Sequence, residues 1–193
     1  MWKFWAGQGR PQSAEHAEAR LIAAIAGGDR AAFQSLYRLY FPRLTRFLDR
    51  MTRNRGLMEE VVNDTMFVVW QKAGSYDHSA KVPTWVFAIA YRQALKALRA
   101  HEEPVEADVE QYCEDPRLQP ELALDLLQSQ QQVRRALQTL PLEQRAAVCL
   151  TYYHDMGYKE IAETMDCPVN TVKTRMFHAR QKLKAVLSAT VGE

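Results

Sequence analysis

Apolar residues recur at steps of three and four along most of this chain, a pattern typical of amphipathic helices. The clearest case lies near the C-terminus, where one stripe contains Val169, Val172, Met176, Ala179 and Leu183. A shorter apolar pattern at residues 158–165 precedes it, and the run Asp166-Cys167-Pro168 separates the two. Proline suits the first turn of a helix because its missing N–H has no partner there. The sequence therefore predicts two helices joined by a tight turn.

The side of the second helix opposite the stripe is polar and cationic, and no acidic residue occurs from 168 to 187. This side carries Asn170, Lys173, Thr174, Phe177 and His178. Amides, hydroxyls, cations and an aromatic ring suit the major groove of DNA when the helix packs by its other face. A solvated basic surface helix is the alternative. The short helix and tight turn before it favour a DNA-binding helix-turn-helix.

The N-terminal half shows four more helical patterns. The first, 15–26, ends at Gly27-Gly28, and Asp29 is placed to cap the second helix. The second helix runs through Leu48 and tolerates Pro42 as a kink or local break. Its later part is strongly basic, which favours proximity to a polyanion.

The third helix, 57–72, combines a core stripe with an acidic side. Glu59, Glu60, Asn63 and Asp64 cluster on that side, and Phe67 and Trp70 follow one and two turns later. Acids beside large aromatics are typical of a protein-binding face. Both aromatics could equally belong to the core, and the spacing alone does not decide between these two interpretations.

The fourth helix starts near Pro83 and reaches about Ala100. Trp85 leads a cationic row formed by Arg92, Lys96 and Arg99. Single-stranded DNA is bound by this combination, because cations neutralise phosphates and an aromatic ring stacks on a base. The competing interpretation places Trp85 in the core.

Length and composition favour two small domains joined by a linker. Residues 101–125 are strongly acidic, with Arg117 as the one cation, and contain three prolines. No apolar run is long enough to cross a bilayer and the N-terminus lacks a signal-peptide pattern, so a soluble cytoplasmic protein is expected. The three cysteines match no standard zinc spacing, and no catalytic constellation is visible. We therefore expect no metal, no cofactor, no small-molecule substrate and no enzymatic activity.

Residues 158–163, 167–175 and 179–180 read YKEIAE, CPVNTVKTR and AR, and they closely resemble the C-terminal region of extracytoplasmic-function (ECF) sigma factors. These proteins belong to the sigma-70 family of bacterial transcription initiation factors. Residues 58–70 are similar to the family's region 2.2, which docks on the clamp coiled coil of the polymerase β′ subunit. Residues 83–90 resemble regions 2.3 and 2.4, which open the minus-10 promoter element. Asn63, Gly157 and the pair Tyr91-Arg92 depart from the family's usual Gln, Ser and Arg-Asn.

The resemblance implies a set of binding residues for each partner. Core polymerase is bound by Glu59, Glu60, Asn63, Asp64, Phe67 and Trp70. The minus-10 element is bound by Lys81, Thr84, Trp85, Arg92, Lys96 and Arg99. The minus-35 element is bound by Asn170, Thr171, Lys173, Thr174, Arg175, Phe177, His178 and Arg180. Among these, Arg175 and Arg180 are expected on phosphates or in ion pairs.

The implied fold is all-α, with two small helical domains joined by an acidic linker. We predict a flexible lead at 1–14, region 2 at 15–101, the linker at 102–120 and region 4 at 121–193. The implied partners are core RNA polymerase, through its β and β′ subunits, and promoter DNA, and an anti-sigma factor is a further candidate. The alternative is a dimeric helix-turn-helix regulator that binds duplex DNA without polymerase.

Overall fold

The computed structural model of the chain describes residues 12–52, 56–100 and 130–190, and all regular structure within these ranges is helical. A 3₁₀ turn, Ala73–Ser75, follows the third helix. The helices in chain order are α1 Gln12–Ala26, α2 Arg30–Met51, α3 Gly56–Lys72, α4 Val82–Ala100, α5 130–138, α6 Leu142–His154, α7 Tyr158–Thr164 and α8 Val169–Thr190. We call α1–α4 the N-terminal unit and α5–α8 the C-terminal unit. The all-α prediction is confirmed.

The start of α2 follows the predicted capping chemistry. Gly28 adopts a φ of 86° after α1, a conformation that glycine tolerates without strain. The Asp29 carboxylate then accepts hydrogen bonds from the backbone N–H groups of Ala31 at 2.8 Å and Ala32 at 3.0 Å. Helix α2 tolerates Pro42, as predicted, and continues through it to Met51, so there is no break in the helix at this residue. Buried residues on both sides, Tyr40 and Leu44, hold the helix against the lost hydrogen bond.

The N-terminal unit packs around large side chains from α2, α3 and α4. Leu36, Tyr40 and Leu44 of α2 are fully buried, as are Val69 of α3 and Phe87 of α4. The Tyr40 hydroxyl donates a 2.7 Å hydrogen bond to Glu18, which satisfies both polar groups inside this core. The core side of α3 is therefore the predicted apolar stripe, and its acidic side points away.

The helix-turn-helix is formed by α7 and α8. The backbone N–H of Gly157 donates to the Glu160 carboxylate at 2.8 Å, so glycine serves as the N-cap of α7. Asp166 takes a φ of 50° between the helices, and the N–H of Cys167 returns to the Ala162 carbonyl at 3.0 Å. The α8 stripe is confirmed: Val172, Met176 and Ala179 are fully buried, and Val169 and Leu183 pack against them.

The two units pack directly against each other, α2 on α6 and α4 on α7. The Arg145 guanidinium, in a side chain only 5% exposed, donates to the Met51 carbonyl at 2.9 Å across this interface. The His154 ring lies 4.4 Å from the Phe87 ring and 5.8 Å from the Phe47 ring, centroid to centroid. No pattern in the sequence predicts this packing.

Several predictions lie outside the described residues. They concern the acidic linker at 102–120, the lead at 1–11 and the side chains of residues 12–14. Within the described ranges, none of the helices has the length and hydropathy needed to cross a membrane.

Candidate protein and nucleic-acid interfaces

The acidic side of α3 is exposed to solvent and combines carboxylates with two large aromatic rings. Its members Glu59, Glu60, Asn63 and Asp64 are exposed, Phe67 is 59% exposed, and Trp70 is half-buried. We call these six residues the docking face. Phe67 is therefore no core residue, and the ambiguity left by its spacing is resolved. Trp70 contacts the Phe33 ring edge-on at 5.2 Å, so it is fixed by α2 while one side stays accessible.

Helix α2 extends the docking face with aromatics that the sequence reasoning did not assign to it. The Tyr37 hydroxyl donates to the Asn63 side-chain oxygen at 3.0 Å, and its ring stacks on Phe41 at 5.6 Å. Phe41 is 36% exposed. The signal in the sequence is the spacing of Phe33, Tyr37 and Phe41 by four residues, which sets three rings on one helix face.

The candidate minus-10 residues fall into two groups. Arg92, Lys96 and Arg99 are exposed on one side of α4, and we call them, with Trp85, the melting row. Trp85 is half-buried, with its ring 5.3 Å from that of Tyr76. Thr84 is only 2% exposed, so its hydroxyl does not reach the surface in this arrangement.

Lys81 precedes α4 and bridges two other helices. Its ammonium lies 2.9 Å from the Glu15 carboxylate of α1 and 3.4 Å from the Glu160 carboxylate of α7. The hydrogen bond to Glu15, with the charge of Glu160 adding to it, raises the pKa of Lys81 above its ordinary value. Lys81 therefore stays charged and is held by two intramolecular ion pairs, while 52% of its side chain remains exposed.

The loop before α4 is ordered by short-range hydrogen bonds. The Tyr76 hydroxyl donates to the Ala80 carbonyl at 2.6 Å, and the Asp77 carboxylate accepts from the Ser79 N–H at 2.9 Å. These bonds to Ser79 lower the pKa of Asp77. His78 adopts a φ of 59°, so its ring comes to lie 4.6 Å from that of Tyr76. Tyr76, His78 and Trp85 form one aromatic cluster at the start of α4.

The outward side of α8 is accessible along its N-terminal half. Asn170, Lys173, Thr174 and His178 are exposed and Phe177 is 57% exposed, and we call these five residues the reading face. Thr171 is half-buried at its edge. A shallow groove runs beside Phe177, lined also by Tyr158, Arg180 and Lys184. The structure thus brings a ring, cations and hydrogen-bonding groups together on the side of α8 opposite its stripe.

Comparison with known proteins decides the family. Residues 36–103 match the family model for sigma-70 region 2, and residues 130–183 match that for sigma-70, region 4. The ECF RNA polymerase sigma factor RpoE of Cereibacter sphaeroides is 32% identical over 164 residues, which cover 83% of this chain and 88% of that protein. The chain belongs to the ECF sigma factors of the sigma-70 family.

Further similarities agree with this assignment. ECF sigma factor SigM of Mycobacterium tuberculosis is 31% identical over 175 residues, 90% of this chain and 86% of that protein. The solved structure of CnrH in complex with the cytosolic domain of CnrY has the same fold, with a TM-score of 0.66 at 23% identity over 90% of this chain and 98% of that chain. Sigma factors of this family are transcription initiation factors. This sigma factor binds core RNA polymerase and directs it to promoters through minus-35 and minus-10 elements, and the alternative of a dimeric regulator is not favoured.

Two arginines of region 4 have different surroundings in this sigma factor. Arg175 donates to the Glu143 carboxylate at 2.8 Å and to the Cys167 sulfur at 3.4 Å, so it joins α8 to α6 and to the turn. Arg180 is held by two neutral groups, the hydroxyls of Tyr152 at 3.3 Å and Tyr158 at 2.8 Å. Its charge is therefore not cancelled by these partners. Both tyrosines position Arg180 beside the groove, and the sequence reasoning missed them.

Proposed function

We propose that three separate surfaces of this sigma factor perform three steps of initiation: the docking face binds polymerase, the melting row opens the minus-10 element, and the reading face selects the minus-35 element. The observation that carries the proposal is the exposure of Phe67 at 59% in the middle of an acidic surface. A large apolar ring kept in water among carboxylates favours a partner that covers it. The neighbouring Trp70 of the same face packs on Phe33 of α2.

The melting row fits single-stranded DNA. Arg92, Lys96 and Arg99 recur along α4 at helical spacing, which lets them follow a phosphate backbone. Trp85 and its neighbour Tyr76 supply rings for stacking at the end of the row. We propose that Lys81 and Thr84 join this surface only after the packing around them changes.

The reading face fits duplex DNA. Its residues lie toward the N-terminal end of α8, the end that enters the major groove in helix-turn-helix proteins. We propose that Lys173 and His178 reach base edges. Arg180 lies in the protein groove beside Phe177, where it would bind a DNA phosphate. Arg175 has a structural role in this proposal, because Glu143 already holds it.

The domain division follows from the same assignments. We propose region 2 at 15–101, an acidic linker at 102–120 and region 4 at 121–193. Action on RNA polymerase places the protein in the cytoplasm, and a factor of this kind carries out no reaction of its own. An anti-sigma factor is a further proposed partner, as NepR is for the sigma factor RpoE of Bartonella quintana in their solved complex.

Reconstitution with core polymerase tests the proposal. The full chain is mixed with core enzyme, and run-off transcription is measured on a library of duplexes randomised over the promoter region. We expect co-purification with core polymerase and enrichment of two separated sequence elements. Duplex DNA alone, probed by gel shift without polymerase, should bind poorly. Tight dimeric binding to duplex DNA without polymerase, with no run-off product, would contradict the proposal.

A further inference from the structure

Two tyrosine hydroxyls hold the guanidinium of Arg180 at the edge of the reading face. Its Nε donates to the Tyr152 hydroxyl at 3.3 Å, and its Nη2 donates to the Tyr158 hydroxyl at 2.8 Å. These bonds use two of the five N–H donors that a guanidinium carries. The Arg180 side chain is nevertheless exposed, so its other donors can meet a group that arrives from solvent.

The two tyrosines lie on either side of a well-defined connection between helices. Tyr152 lies in the last turn of α6, and Tyr158 is the first residue of α7. Between them, Asp155 takes a φ of 53°, and the backbone N–H of Met156 returns to the Leu150 carbonyl at 3.1 Å. The Met156 side chain is only 5% exposed, so it anchors the connection in the core. Local chemistry therefore sets the positions of both hydroxyls without any contribution from DNA.

The groove beside Phe177 gives this arginine a cationic setting. Lys173, Arg180 and Lys184 line the groove together, and none of its lining residues is acidic. The partners of Arg180 are neutral hydroxyls, whereas Arg175 is paired to a carboxylate. An arginine that is already held loses less side-chain freedom when it binds an anion than a free one does. Arg180 is therefore both positioned and still able to attract an anion.

We propose that Tyr152 and Tyr158 are positioning residues of the minus-35 interface, and that they hold Arg180 ready for a phosphate of the DNA backbone. The inference rests on the proposed function of the reading face. Phosphate contacts fix the orientation of a protein on the duplex, whereas base contacts select the sequence. The two hydroxyls therefore strengthen binding to all minus-35 sequences alike, and they do so through Arg180, not by touching DNA themselves.

A double-mutant cycle in the full chain tests the positioning role. Its four members are the parent, the single variant Arg180→Ala, the pair Tyr152→Phe with Tyr158→Phe, and the combination of all three substitutions. Phenylalanine keeps each ring and removes only the hydroxyl, so the packing of α6 and α7 is retained. Each member is assembled with core polymerase, and competition measures binding to the duplex that the parent enriches most from the randomised promoter library.

Tyr153→Phe is the matched control. Tyr153 lies on α6 next to Tyr152 and is 41% exposed, but its ring contacts Arg50 at 4.1 Å instead of Arg180. Removal of this hydroxyl should leave binding to the duplex at the parent value. The control therefore separates a specific effect on Arg180 from a general effect of losing a tyrosine hydroxyl at the end of α6.

We expect the effect of the two hydroxyls to depend on Arg180. Arg180→Ala should weaken binding by up to about fivefold, as for an exposed ion contact. The Tyr152→Phe and Tyr158→Phe pair should weaken it about threefold in the parent background and by less than about 1.5-fold in the Arg180→Ala background, because coupled residues are not additive. The thermal unfolding midpoint of the tyrosine pair variant should stay near that of the parent.

Equal weakening in both backgrounds would overturn the inference, because the hydroxyls would then act on DNA directly or on the packing of the helices. Full binding by the tyrosine pair variant in the parent background would overturn it as well. If Arg180→Ala itself binds like the parent, the phosphate contact in the proposed function is wrong, and the positioning role is wrong with it. The failure of the inference and the failure of the proposed function are therefore distinguishable.

Discussion

The two units carry side chains of the same chemistry for the proposed DNA contacts, but they differ in how freely some of those side chains are presented to solvent. In region 4, the reading face is open and Phe177 is 57% exposed. In region 2, Thr84 is 2% exposed and Lys81 is paired to carboxylates of two other helices. A side chain of suitable chemistry is therefore not sufficient to define an available DNA surface, because burial, as at Thr84, and intramolecular ion pairs, as at Lys81, restrict its access.

The cause lies in the number of neighbours that each helix has. Helix α8 packs on α6 and α7 through its apolar stripe, and its opposite side meets no other described helix. Helix α4 packs on α3 by one side and on α7 by another. The start of α4 therefore combines a packing surface with part of the proposed DNA surface, whereas the cations of its later part are exposed.

The largest expected effect is on core polymerase binding, and it distinguishes the docking face from the two proposed DNA surfaces. Phe67→Ala should weaken core polymerase binding by about 2 kcal/mol or more, because a buried aromatic anchor is lost from the complex. Leu39→Ala is the matched control, since Leu39 is 40% exposed and lies on the side of α2 opposite Tyr37. Competition for core polymerase against the parent chain measures both. Equal competition by the two variants would remove Phe67 from the docking face.

Substitution of the half-buried Trp85 tests the melting row of region 2. Trp85→Ala should reduce open-complex formation by about 1–3 kcal/mol while closed-complex binding stays near the parent value, because stacking requires unpaired bases. Trp85→Phe should recover most of the loss. Permanganate reactivity of promoter thymines reports melting. If thermal stability falls and melting is normal, Trp85 is a packing residue beside Tyr76 and the melting row loses its ring.

Arg180 tests the open surface of region 4, with a smaller effect. Arg180→Ala should weaken binding to all minus-35 sequences alike by no more than about 1 kcal/mol, as expected for a solvent-exposed ion contact. The dependence of binding on salt should flatten by about one unit of slope. Tyr158→Phe should produce part of this change, because it removes the 2.8 Å hydrogen bond that positions Arg180. A change in sequence preference would place Arg180 on a base instead.

Local features of the fold could be predicted because short-range chemistry determines them. The Asp29 cap, the Gly157 cap and the stripe of α8 each depend on residues within a few turns of one another. The motifs of region 2, at 58–70 and 83–90, and of region 4, at 158–180, could also be recognised in the sequence. The exposure of Phe67 could not be predicted, because a ring at the border of an apolar stripe can face either the core or the solvent.

The contact between the units could not be predicted from the sequence. Arg145 reads as a surface cation in the sequence, yet it is 5% exposed and donates to the Met51 carbonyl of α2 as well as to the Leu140 carbonyl of its own unit. Lys81 and Tyr91 likewise give no sign in the sequence of their partners on α6 and α7. Periodicity shows that a helix has an apolar side, but it does not show which distant helix covers it.

The most direct test of the account is the promoter preference of reading-face variants. Lys173→Ala and His178→Ala are compared with Lys182→Ala, an exposed cation off the reading face, in run-off transcription from a library randomised over both promoter elements. We predict a preference changed by about 1–3 kcal/mol at one or two minus-35 base pairs for the first two variants, with the minus-10 preference unchanged. The Lys182 control should keep the parental preference. Parental preference at minus-35 in both reading-face variants would contradict the account.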